Sequence, residues 1–210
     1  QTETMRQALH KWHRSVPKII VCPYLSQKPV NQSTPSDTKD YDFLYVADGM
    51  PHKNHINLIK AWALLAEEGL FPKLRLTLTD RDINLLNHLE SMREKYQLRI
   101  ENQGNLTLEE INSLYLSARA LIFPSTVESM GLPLVEASQH GLHIIAAELD
   151  YVRDVCHPVE TFDPSSPRSI SRAVLRFLSI EEAQPKLYSA DTFINTALAQ
   201  DTQEPREASS

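Results

Sequence analysis

Apolar residues change their period along this chain, and each change marks an element. Residues 1–14 (QTETMRQALHKWHR) carry helical spacing, and KIIVCPY (18–24) reads as a short strand. Residues 25–40 are polar and rich in Ser, Thr and Pro, the composition of a loop or linker. DFLYVA (42–47) is a continuous apolar run, the pattern of a strand covered on both faces. NHINLIKAWALLAEEG (54–69) returns to helical spacing and ends in Gly69, a helix-terminating residue. KLRLTLT (73–79) alternates as a strand, INLLNHLESMREKY (83–96) is amphipathic, and LRIEN (98–102) is a short strand. TLEEINSLYLSA (107–118) opens with Thr107 and Glu110 at capping-box spacing. ALIFP (120–124) and LHIIAA (142–147) are apolar strands. Between them LPLVEASQHG (132–141) has Pro133 near its start and Gly141 past its end, the punctuation of a helix. PRSISRAVLRFLS (167–179) and residues 181–200 are helical in pattern, and the last ten residues are polar.

Strands alternating with helices through short loops predict an α/β fold, a parallel sheet with helices on both faces. Three parts follow: residues 1–40 as helix, short strand and linker, 41–180 as the αβ domain, and 181–210 as a C-terminal helix and tail. Ligands of such sheets bind outside the carboxyl ends of the strands. Attention therefore falls on the loops at 48–53, 80–82, 103–106 and 124–131.

Composition narrows the picture little. The 210 residues are 41% hydrophobic and 23% charged, with a net charge of −6, so a dedicated nucleic-acid binder is not indicated. Two distant cysteines, Cys22 and Cys156, make neither a disulfide framework nor a zinc site and suit a reducing compartment. No apolar run approaches the ~18 residues of a membrane span.

The loops carry the candidate chemistry. In ADGMPHKN (47–54), Lys53 precedes a helix start, with Asn54 as its N-cap. Free N–H groups and a partial positive charge there favour phosphate, and a lysine adds a point charge. The plain alternative is a solvated lysine. His52 and His55 stand at H-x-x-H spacing, but no further Cys/His/Asp cluster supports a metal. In FPSTVESMGLPLVEASQHG (123–141), Glu128 lies in a loop and Glu136 about one turn into the following helix, so both carboxylates are expected to face one cleft. The amides of Met130, Gly131 and Leu132 lie at the helix start, and Gly131 lets a ligand approach the backbone. Acceptors and donors around one helix start suit a ligand with hydroxyls and phosphates. A nucleotide sugar is one such ligand among several.

This segment resembles the E-x7-E element of retaining GT-B glycosyltransferases (glycosyl transferases group 1), written FPS-x-x-E-G-F-G-L-P-x-x-E-A-M-A-x-G-x-P-V-I-A. FLYVADGMPHKNHINLIKAW, NQGNLTLEEINSLYLSARALIFPS and LDYVRDVCHPVETFDPSSPRSISRAVLRFL are similar to further family segments in family order, over roughly residues 18–180. The resemblance implies a Rossmann-like doubly wound sheet, the C-terminal, donor-binding half of a GT-B enzyme. It implies transfer of a sugar from a nucleotide diphosphate to an acceptor hydroxyl with retention, in bacterial surface polysaccharide synthesis. Glu128 would contact the donor sugar, Lys53 the diphosphate and Glu136 the ribose. Ser129, Met130, Gly131 and Leu132 would line the phosphate or sugar, Gly104 and Asn105 would lie beside the base, and Gly49 would stand in the first loop.

The family commonly has Gly-Arg after the first strand, where this chain has Ala47-Asp48 before Gly49, and Ser129-Met130 replaces Gly-Phe. No cofactor or resident metal is implied. The implied partners are a nucleotide sugar and, through an N-terminal domain missing here, an acceptor saccharide or lipid-linked saccharide. The implied location is the cytoplasm, with peripheral contact at the inner face of the membrane. The chain alone is expected to be an inactive half. The competing class is a non-enzymatic nucleotide-sugar-binding module, or a subunit completed by a separate partner.

Overall fold

A computed structural model describes residues 2–12, 19–21 and 39–180. Six parallel strands form one sheet: β1 (Tyr41–Tyr45), β2 (Leu74–Leu76), β3 (Ile100–Asn102), β4 (Ala118–Phe123), β5 (His143–Ala147) and β6 (Glu160–Phe162). Their order is β3-β2-β1-β4-β5-β6, so the winding reverses between β1 and β4. Register pairs Phe43 with Leu74, Leu44 with Leu121, Ile122 with Ile145 and Ala146 with Thr161. Helices α1 (Glu3–Trp12), α2 (His55–Glu67), α3 (Ile83–Tyr96), α4 (Leu108–Ser117), α5 (Leu132–Gln139), α6 (Asp150–Arg153) and α7 (Pro167–Phe177) complete the described chain.

The central strands are the apolar runs of the sequence, and they are buried as such a pattern requires. Phe43, Leu44, Tyr45, Leu121, Ile122 and Phe123 are fully inaccessible. Each such side chain contributes on the order of 1.5–3 kcal/mol by leaving water. Trp62 of α2 packs edge-on to Phe43 at 5.5 Å, and its ring N–H donates to Pro72 O at 2.9 Å. A buried indole therefore keeps its donor satisfied. The capping box at α4 forms: Thr107 Oγ1 accepts from Glu110 N, and the Glu110 carboxylate accepts from Thr107 N at 2.7 Å.

The expected strand at 18–24 is not present over residues 19–21, and its other positions lie outside the described residues, as does the helix expected at 181–200. Two elements carry too little pattern to be read in advance. Strand β6 has three residues, two of them polar, and α6 is a single turn. Neither is long enough to show a period.

Candidate functional site

The loops after β1 and β4 meet where the winding reverses, the place where open parallel sheets hold ligands. The first loop ends in a single 3-10 turn, Pro51–Lys53. That turn leaves Asn54 in the left-handed region at φ 63°, with no side-chain bond to the helix it precedes. Asn54 is thus not the side-chain N-cap expected from its position. Its amide instead donates to Pro124 O at 3.0 Å and Pro164 O at 2.8 Å, tying three loops together.

The lacing is dense. His52 O accepts from Thr126 N at 2.8 Å, from Ser125 Oγ at 3.1 Å and from Thr126 Oγ1 at 3.2 Å. The buried Tyr151 hydroxyl donates to Ser125 O at 2.6 Å, and Tyr45 Oη donates to Lys53 O at 2.7 Å. These bonds fix the two loops against each other before any ligand arrives.

Lys53 and Glu128 face each other across this seam. Lys53 Nζ is 2.6 Å from Glu128 Oε1, with only 16% and 11% of the side chains exposed. Together with Ser129, Met130, Gly131, Leu132 and Pro133 they line a cavity of about 380 Å³. Gly131 sits at φ 68°, a region that strains other residues, and an added Cβ would press Leu134 at 3.0 Å. Among the described residues, no hydrogen bond uses the amides of Met130, Gly131 or Leu132, as expected of a helix start. Ser129 O accepts from Thr2 Oγ1 at 3.1 Å, so the residue just before α1 touches this loop, a contact nothing in the local sequence announces. The Met130 side chain is 5% exposed, while Leu132 is 56% exposed.

Other expected residues stand apart from this cavity. Glu136 does not line it; its Oε2 accepts from Tyr115 Oη at 2.8 Å. Gly104 and Asn105 follow β3, the edge strand, with Gly104 at φ 72°. Gly49 N donates to Asp82 Oδ1 at 3.1 Å, and any Cβ at Gly49 would collide with that carboxylate. Asp48 is exposed and accepts from Met50 N at 3.2 Å in a local turn.

Beneath the Lys53 turn lies His55, 2% exposed, its ring 4.8 Å from that of Tyr45 and both ring nitrogens without a partner among the described residues. Burial lowers its pKa to about 4, against the opposing pull of Asp82 and Asp48. The ring is therefore neutral at pH 7. Among the described residues no group of three or more His, Cys, Asp or Glu side chains gathers as a metal site, and no helix is long and apolar enough to cross a membrane.

The family model described as Glycosyl transferases group 1 matches residues 26–191. The serotype-specific mannosyltransferase WbdA of Escherichia coli is 29% identical over 143 residues, which cover 67% of this chain and 17% of that protein. Among solved structures, S. aureus TarM matches with a TM-score of 0.69 and 14% identity over 84% of this chain and 35% of that one. Anabaena Alr3699/HepE, solved in complex with UDP and glucose, matches with a TM-score of 0.55 and 19% identity over 66% of this chain and 38% of that one. At such identities the structural likeness is one of fold. The chain spans well under half the length of each of these proteins.

Proposed function

The chain belongs to the glycosyl transferases group 1 family, and from that premise we propose that it is the donor-binding part of a retaining sugar transferase. One observation carries this reading. A lysine, a carboxylate and a row of unused amides surround one cavity at the point where the sheet's winding reverses. In this reading the diphosphate of a nucleotide sugar takes Lys53 and the amides of Met130 to Leu132. Leaving-group charge would then develop against preorganised donors, which is often the largest catalytic term. Glu128, released from its full pairing with Lys53, orients the sugar and stabilises the positive charge that grows at its anomeric carbon. Glu136 accepts from the ribose hydroxyls, and the loop with Gly104 and Asn105 lies beside the base. The charge on the leaving group is met by Lys53 and amides, so the reading calls for no resident metal. The acceptor saccharide, lipid-linked or free, is held by a further domain, with the whole enzyme at the inner membrane face. Likeness to a mannosyltransferase makes mannose the first sugar to test.

Calorimetric titration with UDP and GDP tests the assignment. Bare nucleoside diphosphates carry no sugar for Glu128 to touch. Glu136→Ala is therefore expected to weaken binding about tenfold, the worth of lost hydrogen bonds to a charged group, and to weaken it more than Glu128→Ala does. Equal losses in the two variants, or no binding of either nucleotide to the native chain, contradict the reading.

A further inference from the structure

Glu136 is held by a device built from two helices at helical spacings. Tyr115 of α4 is 1% exposed, and its hydroxyl donates to Glu136 Oε2 at 2.8 Å. The His140 ring stacks on the Tyr115 ring at 5.2 Å with 19° between planes. His140 Nε2 lies 3.3 Å from Asn112 Oδ1. Asn112 is three residues before Tyr115, and His140 is four residues after Glu136, so each pair shares a helix face. The ring of contacts Asn112–Tyr115–Glu136–His140 closes between α4 and the end of α5. Burial, then the nearby charge of Glu136 and the hydrogen bond to it, push the Tyr115 pKa far above the usual phenol range. The hydroxyl therefore stays a donor at any working pH. Among the described residues Glu136 Oε1 has no partner.

We propose that Tyr115 is the positioning residue of the nucleotide site: it occupies Oε2 of Glu136, fixes the plane of that carboxylate, and leaves Oε1 as the single oxygen offered to the ligand's ribose diol. His140 and Asn112 hold the Tyr115 ring in the pose that makes this possible. A carboxylate free to rotate loses rotamer freedom each time a ligand binds; one held by a buried phenol has already lost it. A neutral donor does this without cancelling the negative charge, so the free oxygen remains a strong acceptor. The inference rests on the reading that Glu136 takes the ribose.

The test uses Tyr115→Phe, which keeps the ring, its burial and its stack on His140 and removes only the hydroxyl. Whichever of GDP and UDP binds the native chain more tightly is titrated alongside its 2′,3′-dideoxy analogue, against native, Y115F, E136A and the double variant. Y115F is expected to weaken the ribonucleotide about threefold to tenfold, to leave the dideoxy analogue unchanged, and to add nothing on top of E136A. Equal weakening of both nucleotides by Y115F would mean a merely structural tie between α4 and α5 and would overturn the proposal. Native affinity in Y115F beside a loss in E136A would overturn it too, while the ribose reading stands. No loss in E136A would remove the ribose reading and the proposal with it.

Discussion

Around Glu128 the partners are charged; around Glu136 they are neutral. Each region holds a tyrosine and a histidine in ring contact, Tyr45 with His55 and Tyr115 with His140, yet the two sets are used differently. At Glu128 the lysine neutralises the carboxylate directly. Tyr45 is spent on the Lys53 carbonyl, and His55 is buried beneath with no partner for its ring nitrogens among the described residues. At Glu136 the tyrosine itself is the carboxylate's partner, and the histidine stacks on that tyrosine. An ion pair cancels charge, so a ligand at Glu128 must share or displace a cation. A phenol leaves charge in place, so a ligand at Glu136 meets a carboxylate already oriented. Under the proposed function the first arrangement would take a diphosphate, which brings its own claim on lysine, and the second would take neutral hydroxyls.

The largest effect expected to separate the two regions is acid loss of stability through His55. Its ring is held neutral, with a pKa of about 4 in the folded chain against about 6.5 when exposed. Below pH 6.5 the unfolded chain binds a proton that the folded chain refuses, so stability is full above that pH and falls as pH drops toward 4. The loss is on the order of 3 kcal/mol. Urea unfolding at a series of pH values should show this limb, and His55→Phe should flatten it. His140, in the other region, is also held below the usual imidazole range by burial but is less deeply buried. It should contribute a smaller share, so His140→Phe should leave most of the limb in place. An acid limb that depends equally on both histidines would erase the contrast.

Next in size is Lys53→Met. It leaves Glu128, only 11% exposed on its side chain, without its cation. Stranding a buried charge costs 3–5 kcal/mol when water is fully excluded; residual access should reduce this to about 2 kcal/mol. Adding Glu128→Leu should recover most of the loss in chemical unfolding, because the stranded charge is then gone. A double variant less stable than Lys53→Met would show that the two side chains do not act as a pair.

Smallest is Glu136→Gln. The amide oxygen still accepts from Tyr115, so folding should lose no more than about 0.5 kcal/mol, although the carboxylate's charge is removed. A loss as large as that for Lys53→Met would mean that Glu136 is also part of an ion pair, and the comparison would fail.

The sequence by itself determined the central strands and the longer helices, though not β6 or the single turn of α6. Strands β1, β4 and β5 are continuous apolar runs, and such runs are stable only when covered on both faces. The Thr107–Glu110 box and the Pro133–Gly141 bracket mark helix ends through local hydrogen bonding and backbone limits, which act within a few residues. The family was legible for a similar reason: the run 123–141 and its companion segments are short, local and in order along the chain. Their spacing did not place both glutamates at one cavity, since Glu128 lines it and Glu136 turns to Tyr115. What partners each residue takes was decided only by tertiary structure. Lys53 and Glu128 are 75 positions apart, Tyr115 and Glu136 are 21 apart, and Thr2 reaches Ser129 across 127. Asn54 has the composition of an N-cap, yet the 3-10 turn before it sets its backbone at φ 63° and sends its amide to two other loops. Such contacts arise from the order in which strands pack, and no local period encodes that order. A single buried hydrogen bond or ion pair then chooses which of a residue's permitted partners it keeps, because leaving a polar group unpaired inside the protein costs more than the pairing yields in water.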